Sequence, residues 1–134
     1  MAHLHDIVFD AARPSAVARF WARALEGYAV APYDEAELER LRSEGIDDPE
    51  DDPTVLVERV GGGGPRLWFQ LVPEAKAGKN RVHLDLKAAE PAVETERLVE
   101  LGARVVARHE EHLVLADPEG NEFCLFPDAS PDAA

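Results

Sequence analysis

One cysteine, Cys124, stands in a chain of 134 residues, and a lone thiol cannot close a disulfide within the molecule. The cytoplasm is therefore the expected location. Cations are the scarcer charge, with 14 Lys and Arg against 27 Asp and Glu and a formal net charge of −13. That excess repels phosphate backbones and anionic lipid, so neither nucleic acid nor a membrane surface is an expected partner. No run approaches the ~20 apolar residues of a membrane span, and no signal-peptide pattern is visible. What is present is ordinary for a folded chain: 46% apolar and 31% charged residues. The length suits a single domain over residues 1–134, against a usual ~100–150.

The acidity is concentrated. Residues 34–53 hold ten acids and two arginines. Asp34 and Glu37 have the spacing of an N-cap and its reciprocal partner, Leu38 and Leu41 lie one turn apart, and Gly45 follows, which predicts a short helix. The DDPEDDP stretch after it is too charged and proline-rich for a regular element and reads as a solvated surface loop. The D-x-D-x-D-G order of a calcium loop is missing from it.

Elsewhere the period of the apolar residues assigns the elements. His3 to Asp10 alternates as a strand, and Pro14 to Leu25 carries Val17, Phe20, Trp21 and Ala24 on one helical stripe. Tyr28 to Tyr33 is a strand, and Thr54 to Val60 and Arg66 to Val72 flank Gly61–Gly64 as a hairpin. Arg81 to Lys87 is a strand and Pro91 to Leu101 a helix stopped by Gly102. Three more strands close the chain at Ala103 to Arg108, Glu111 to Ala116 and Asn121 to Phe126.

With the acidic segment set aside as an insertion, strand–helix–strand–strand–strand occurs twice. A shift of 77 lays Asp10-Ala11-Ala12-Arg13-Pro14 on Lys87-Ala88-Ala89-Glu90-Pro91, and a shift of 54 lays Phe69, Leu71 and Pro73 on Phe123, Leu125 and Pro127. The expected class is α+β: two tandem βαβββ modules, 3–75 with insertion 34–53 and 81–127, and a disordered tail at 128–134. Paired modules of this kind are expected to form a U-shaped mixed sheet around a central cavity, helices outside.

Alternation then assigns faces. If Ile7, Phe9, Leu84 and Leu86 pack under the helices, Asp6, Val8, Asp10, His83, Asp85 and Lys87 point the other way, while His5 falls on the helix side. Phe69, Leu71, Phe123 and Leu125 likewise take the helix side, leaving Trp68, Gln70, Glu122, Cys124 and Phe126 on the open one. By the two shifts Asp6 is matched with His83 and Gln70 with Cys124, four positions that each offer a metal-donor atom. Such a mixed oxygen, nitrogen and sulfur set suits zinc best, although the absence of any bound metal is the expectation. Glu122, beside apolar Phe126 and Trp68, is the candidate general base if that wall raises its pKa. Val8, Asp10, Trp68, Arg81, Asp85 and Phe126 are the candidate substrate-pocket residues.

In this arrangement the chain resembles the vicinal oxygen chelate superfamily of glyoxalases, bleomycin-resistance proteins and extradiol dioxygenases. It is most similar to bacterial glyoxalase-like domain proteins, through Asp10–Pro14 before Phe20-Trp21, the run LWFQLVPEAKAGKNRVHLDL (67–86), and DPEGNEFCLF (117–126). The resemblance implies ligands on the first and last strands of each module, at Asp6, Gln70, His83 and Cys124. Asp6 there replaces a usual His and Cys124 a usual Glu. It also implies a small organic ligand, lyase, isomerase or dioxygenase-type chemistry, and a homodimer. The alternative is a metal-free protein of the bleomycin-resistance type that sequesters a small molecule or antibiotic, attracted by Asp6, Asp10, Asp85 and Glu122.

Overall fold

In the computed structural model, which describes residues 1–128, the chain runs β1 (Asp6–Ala11), α1 (Pro14–Ala24), β2 (Tyr28–Val30), α2 (Glu35–Ser43), a 3₁₀ turn (Pro49–Asp51), β3 (Thr54–Arg59) and β4 (Arg66–Leu71). It continues as β5 (Leu84–Ala88), α3 (Pro91–Leu101), β6 (Arg104–Arg108), β7 (Leu113–Ala116) and β8 (Glu122–Pro127). These elements form two compact units, Met1–Ala75 and Lys76–Ala134. Each holds one four-stranded mixed sheet, in the order β1-β4-β3-β2 and β5-β8-β7-β6. The first and last strands of each unit pair in parallel and the other pairs are antiparallel. The class is α+β with a βαβββ module in tandem. Asp128, where the tail was expected to begin, donates its backbone N–H to Ala88 O at 2.8 Å; residues 129–134 lie outside the described ones. Among the described residues no helix is long and apolar enough to cross a membrane.

Each sheet is covered on one face by its helix. Pro14 opens α1, where its missing N–H is no loss, and Val17, Ala18, Phe20, Trp21 and Ala24 are buried along one stripe. Phe9 of β1 links the layers, stacking on Phe69 at 5.1 Å and on Trp21 at 6.1 Å. In the second unit Leu98 of α3 and Leu115, Phe123 and Leu125 of the sheet are fully buried. Gly102 ends α3 at φ 124, and Pro118 Cγ stands 3.3 Å from where a side chain would begin, so both backbone and space call for glycine. Leu71, at the end of β4, was expected beneath the helix and is 54% exposed.

The acidic insertion is more ordered than its composition suggests. Asp34 caps α2 by accepting from Glu37 N at 2.9 Å, and Leu41 is buried. The DDPEDDP stretch, expected as a solvated loop without regular structure, contains the 3₁₀ turn, with Asp48 accepting from Glu50 N at 2.9 Å. Arg19 of α1 holds Glu50 in a two-pronged pair at 2.6 and 3.0 Å, and Ser15 Oγ donates to Pro49 O at 3.2 Å. Asp52 is buried and accepts from Tyr33 Oη at 2.7 Å and from Thr54 N at 3.0 Å. Burial and that neighbouring carboxylate push the Tyr33 phenol well above its ordinary pKa. Composition misses this because the acids act as caps and anchors for particular donors, not as a solvated face.

Replacing Asp52 by Ala should leave the Tyr33 hydroxyl and the Thr54 N–H without their acceptor and cost about 1–3 kcal/mol. A urea denaturation series checks it. Tyr33→Phe, which removes the donor together with the need for it, should cost less.

Candidate functional site

Strand pairing decides which open-face residues share a site. In the first unit Asp6 lies opposite Arg66, Val8 opposite Trp68 and Asp10 opposite Gln70. In the second, Asp85 lies opposite Cys124 and Lys87 opposite Phe126. A shift of 77 carries Val8 onto Asp85, and their strand partners are Trp68 and Cys124, whereas a shift of 54 carries Gln70 onto Cys124. The two shifts thus disagree by two residues. The offset is even, so every residue keeps its face, but the equivalences Asp6–His83 and Gln70–Cys124 do not hold together in one strand register. Asp6 and Gln70 are four positions apart along the paired strands, roughly 13 Å at ~3.3 Å per residue.

Around Asp6 a polar cluster closes on itself. Arg66 grips the carboxylate with Nε to Oδ1 at 2.8 Å and Nη2 to Oδ2 at 3.1 Å, while Trp68 Nε1 donates to Oδ2 at 3.0 Å. The guanidinium also lies over the Trp68 ring, 5.6 Å from its centroid. His5, expected on the helix side, is exposed instead, its Nε2 3.0 Å from Arg66 Nη2, because β1 starts only at Asp6. The Arg66 contact, helped by Trp68 and opposed by partial desolvation, holds the Asp6 carboxyl below the ordinary carboxylate range. Farther along, Gln70 Nε2 donates to Asp10 Oδ1 at 2.9 Å, and Val8 is 52% exposed between the two polar groups.

The second unit gathers a different set. His83, immediately before β5, places Nε2 3.1 Å from Asp85 Oδ1. Donor atoms of His83, Asp85 and Cys124 lie within 4.8 Å of one another. Cys124 is half-buried, and desolvation, then the Asp85 charge, push its thiol up, the reverse of what a nucleophilic cysteine needs. Glu122 is paired with Lys79, and its backbone N–H donates to Asn80 Oδ1 at 3.2 Å. The Lys79 ammonium holds the Glu122 carboxyl below its ordinary value, so the upward shift expected of a general base is replaced by a downward one. Phe126 stacks on His112 at 4.8 Å, and His112 on His109 at 4.7 Å. Arg81 is exposed in the bend before β5.

The expected metal set of Asp6, Gln70, His83 and Cys124 does not fit these contacts. Asp6 already serves a cation and an indole N–H, and Gln70 stands four positions from it along the paired strands. Arg66, missed from the sequence, was one parallel pairing away from being found. It lies directly opposite Asp6, and that adjacency is invisible until β1 and β4 are known to be neighbours.

Residues 6–126 match the family model described as Glyoxalase-like domain. No curated protein matches the chain. Among solved structures, a glyoxalase/bleomycin resistance protein/dioxygenase family enzyme from Burkholderia phytofirmans has a TM-score of 0.65 at 16% identity, covering 94% of this chain and 98% of its own. The fosfomycin resistance protein FosX of Mesorhizobium loti has a TM-score of 0.64 at 12% identity, covering 99% and 96%. Trypanothione-dependent glyoxalase I of Leishmania major has a TM-score of 0.59 at 14% identity, covering 96% and 88%. At these identities the likeness is one of fold.

Proposed function

Because the chain belongs to the glyoxalase-like domain family of the vicinal oxygen chelate superfamily, we propose that it binds a compact organic molecule on the open face of its first sheet, with Trp68 as the platform. The observation that carries this reading is the locked Asp6–Arg66–Trp68 cluster. An indole held by a hydrogen bond at its edge and a guanidinium near its face is ordered before any ligand arrives, which lowers the entropic cost of binding. Exposed Val8 adds apolar area, and Asp10 with Gln70 adds polar acceptors at the far side.

Charge favours a cationic ligand. The chain is strongly acidic, and Asp10 is exposed with a neutral amide as its hydrogen-bond partner, so the face presents a carboxylate that a cation could pair with. Sequestration of such a molecule, as in the bleomycin-resistance alternative, is the role this geometry supports best. Catalysis through Glu122 is no part of it, since Lys79 lowers the basicity of that carboxylate.

Tryptophan fluorescence tests the reading. Trp21 is buried and Trp68 half-buried on the open face, so a flat cation such as N-methylquinolinium should change the Trp68 signal and quinoline-2-carboxylate should not. Trp68→Ala should abolish the response and Asp10→Asn weaken it. Equal responses to cation and anion, or a response that survives Trp68→Ala, would overturn the proposal.

A further inference from the structure

We infer that the binding face proposed for the first sheet, on which this reading rests, selects amidinium and guanidinium cations over cations that carry charge without N–H donors. Parallel pairing of β1 with β4 sets the open face in three rows: Asp6 opposite Arg66, Val8 opposite Trp68, and Asp10 opposite Gln70. Antiparallel β3 extends the second row with Leu56 and the third with Thr54. An apolar band that includes the indole therefore lies between two rows that each hold an aspartate. In the first row the chain itself supplies the cation. The Arg66 guanidinium forks onto Asp6 through Nε at 2.8 Å and Nη2 at 3.1 Å, and it lies over the Trp68 ring, 5.6 Å from the centroid. In the third row the residue opposite the aspartate is a neutral amide. Asp10 thus repeats the setting of Asp6 with the guanidinium left out.

The hydrogen bonds of the third row say what would fill that place. Gln70 Nε2 donates to Asp10 Oδ1 at 2.9 Å, and among the described residues Asp10 Oδ2 has no partner. An ionised carboxylate only accepts, so the Gln70 amide must turn its nitrogen toward Asp10 and its oxygen away. Thr54, exposed and directly opposite Gln70, brings a hydroxyl that also accepts. A planar cation with several N–H groups satisfies two of these acceptors at once, whereas a quaternary ammonium satisfies none. Trp68 and Gln70 are two residues apart on β4, roughly 7 Å at ~3.3 Å per residue. A ring resting on the indole therefore brings a guanidinium attached to it up to the acceptor row. Its weak hydration, compared with that of an ammonium group, suits a position beside the apolar band.

Calorimetric titration of the full chain with 2-naphthylguanidinium and 2-naphthyltrimethylammonium tests this, because the two share ring and charge and differ in donors. The guanidinium should bind about 10-fold more tightly, the worth of one charge-assisted hydrogen bond. Asp10→Asn weakens the attraction for both cations, so the ratio of their affinities isolates the donors, and that ratio should fall to about 2-fold or less. Gln70→Leu, which removes the amide oxygen and leaves Asp10 unsupported, should reduce the ratio to about 3-fold. Both side chains are exposed, so neither substitution disturbs the covered core. Equal affinities of the unaltered chain for the two cations, or a preference that survives Asp10→Asn, would overturn the assignment while leaving the reading of the face as a site for flat cations standing. If neither cation binds, that reading fails and the guanidinium preference with it.

Discussion

Phe69→Ala is expected to lower folding stability by about 3–5 kcal/mol, a large share of the ~5–15 kcal/mol that holds a domain together. Phe69 is 0% exposed, and its ring stacks on Phe9 at 5.1 Å with an interplanar angle of 8°. Phe9 in turn stacks on Trp21 of α1, which meets Phe20 edge-on at 5.3 Å. Truncation leaves a cavity at the point where sheet and helix meet, and the three remaining aromatic rings, Phe9, Trp21 and Phe20, cannot collapse to fill it without losing one another's contacts. Leu71→Ala, two residues along the same strand, is the control. Its side chain is 54% exposed, so it should change stability by no more than about 0.5 kcal/mol. Urea unfolding of the two variants reads the contrast, and equal losses would show that β4 does not pack as described.

The elements were legible in the sequence because apolar period is a local signal. Strands and helices start and stop near the positions that alternation, Pro14, Pro91 and Gly102 predict, and the open and covered faces of β1 and β8 follow from counting by two. Pairing is not local. Arg66 is 60 residues from Asp6 and Lys79 is 43 from Glu122, and nothing near Asp6 or Glu122 in the chain announces either partner. The register of each parallel pair is set by the fold, and in that register the two sequence shifts, 77 for the first strands and 54 for the last, are offset from each other by two residues. Three acids of the DDPEDDP stretch read as part of a solvated loop because their partners, Arg19, Tyr33 and a backbone N–H of the turn, become visible only once the chain is folded.

Asp6→Ala is expected to abolish the Trp68 response to a flat organic cation while leaving the helix-covered core intact. Both carboxylate oxygens are engaged, one holding Arg66 Nε and the other shared by Arg66 Nη2 and Trp68 Nε1. Removing them frees the guanidinium and the indole together, and the platform loses its order before binding. Asp6→Asn separates charge from shape, since an amide can still accept one of these hydrogen bonds but no longer pairs with Arg66 as an ion. It should retain part of the response. The pair also fixes the pH dependence. The folded-state pKa of Asp6 lies below its ordinary value, chiefly through Arg66. The stabilising contact is therefore present above the ordinary carboxylate pKa of roughly 4 and is lost only as the pH falls through the lowered folded value. The fluorescence titration of the unaltered chain should accordingly be flat from neutrality down through mildly acidic pH and collapse below that, whereas Asp6→Asn should show no such collapse from this residue. A wild-type response that fades near neutrality, or one that Asp6→Ala leaves untouched, would mean that the cluster does not organise the binding face.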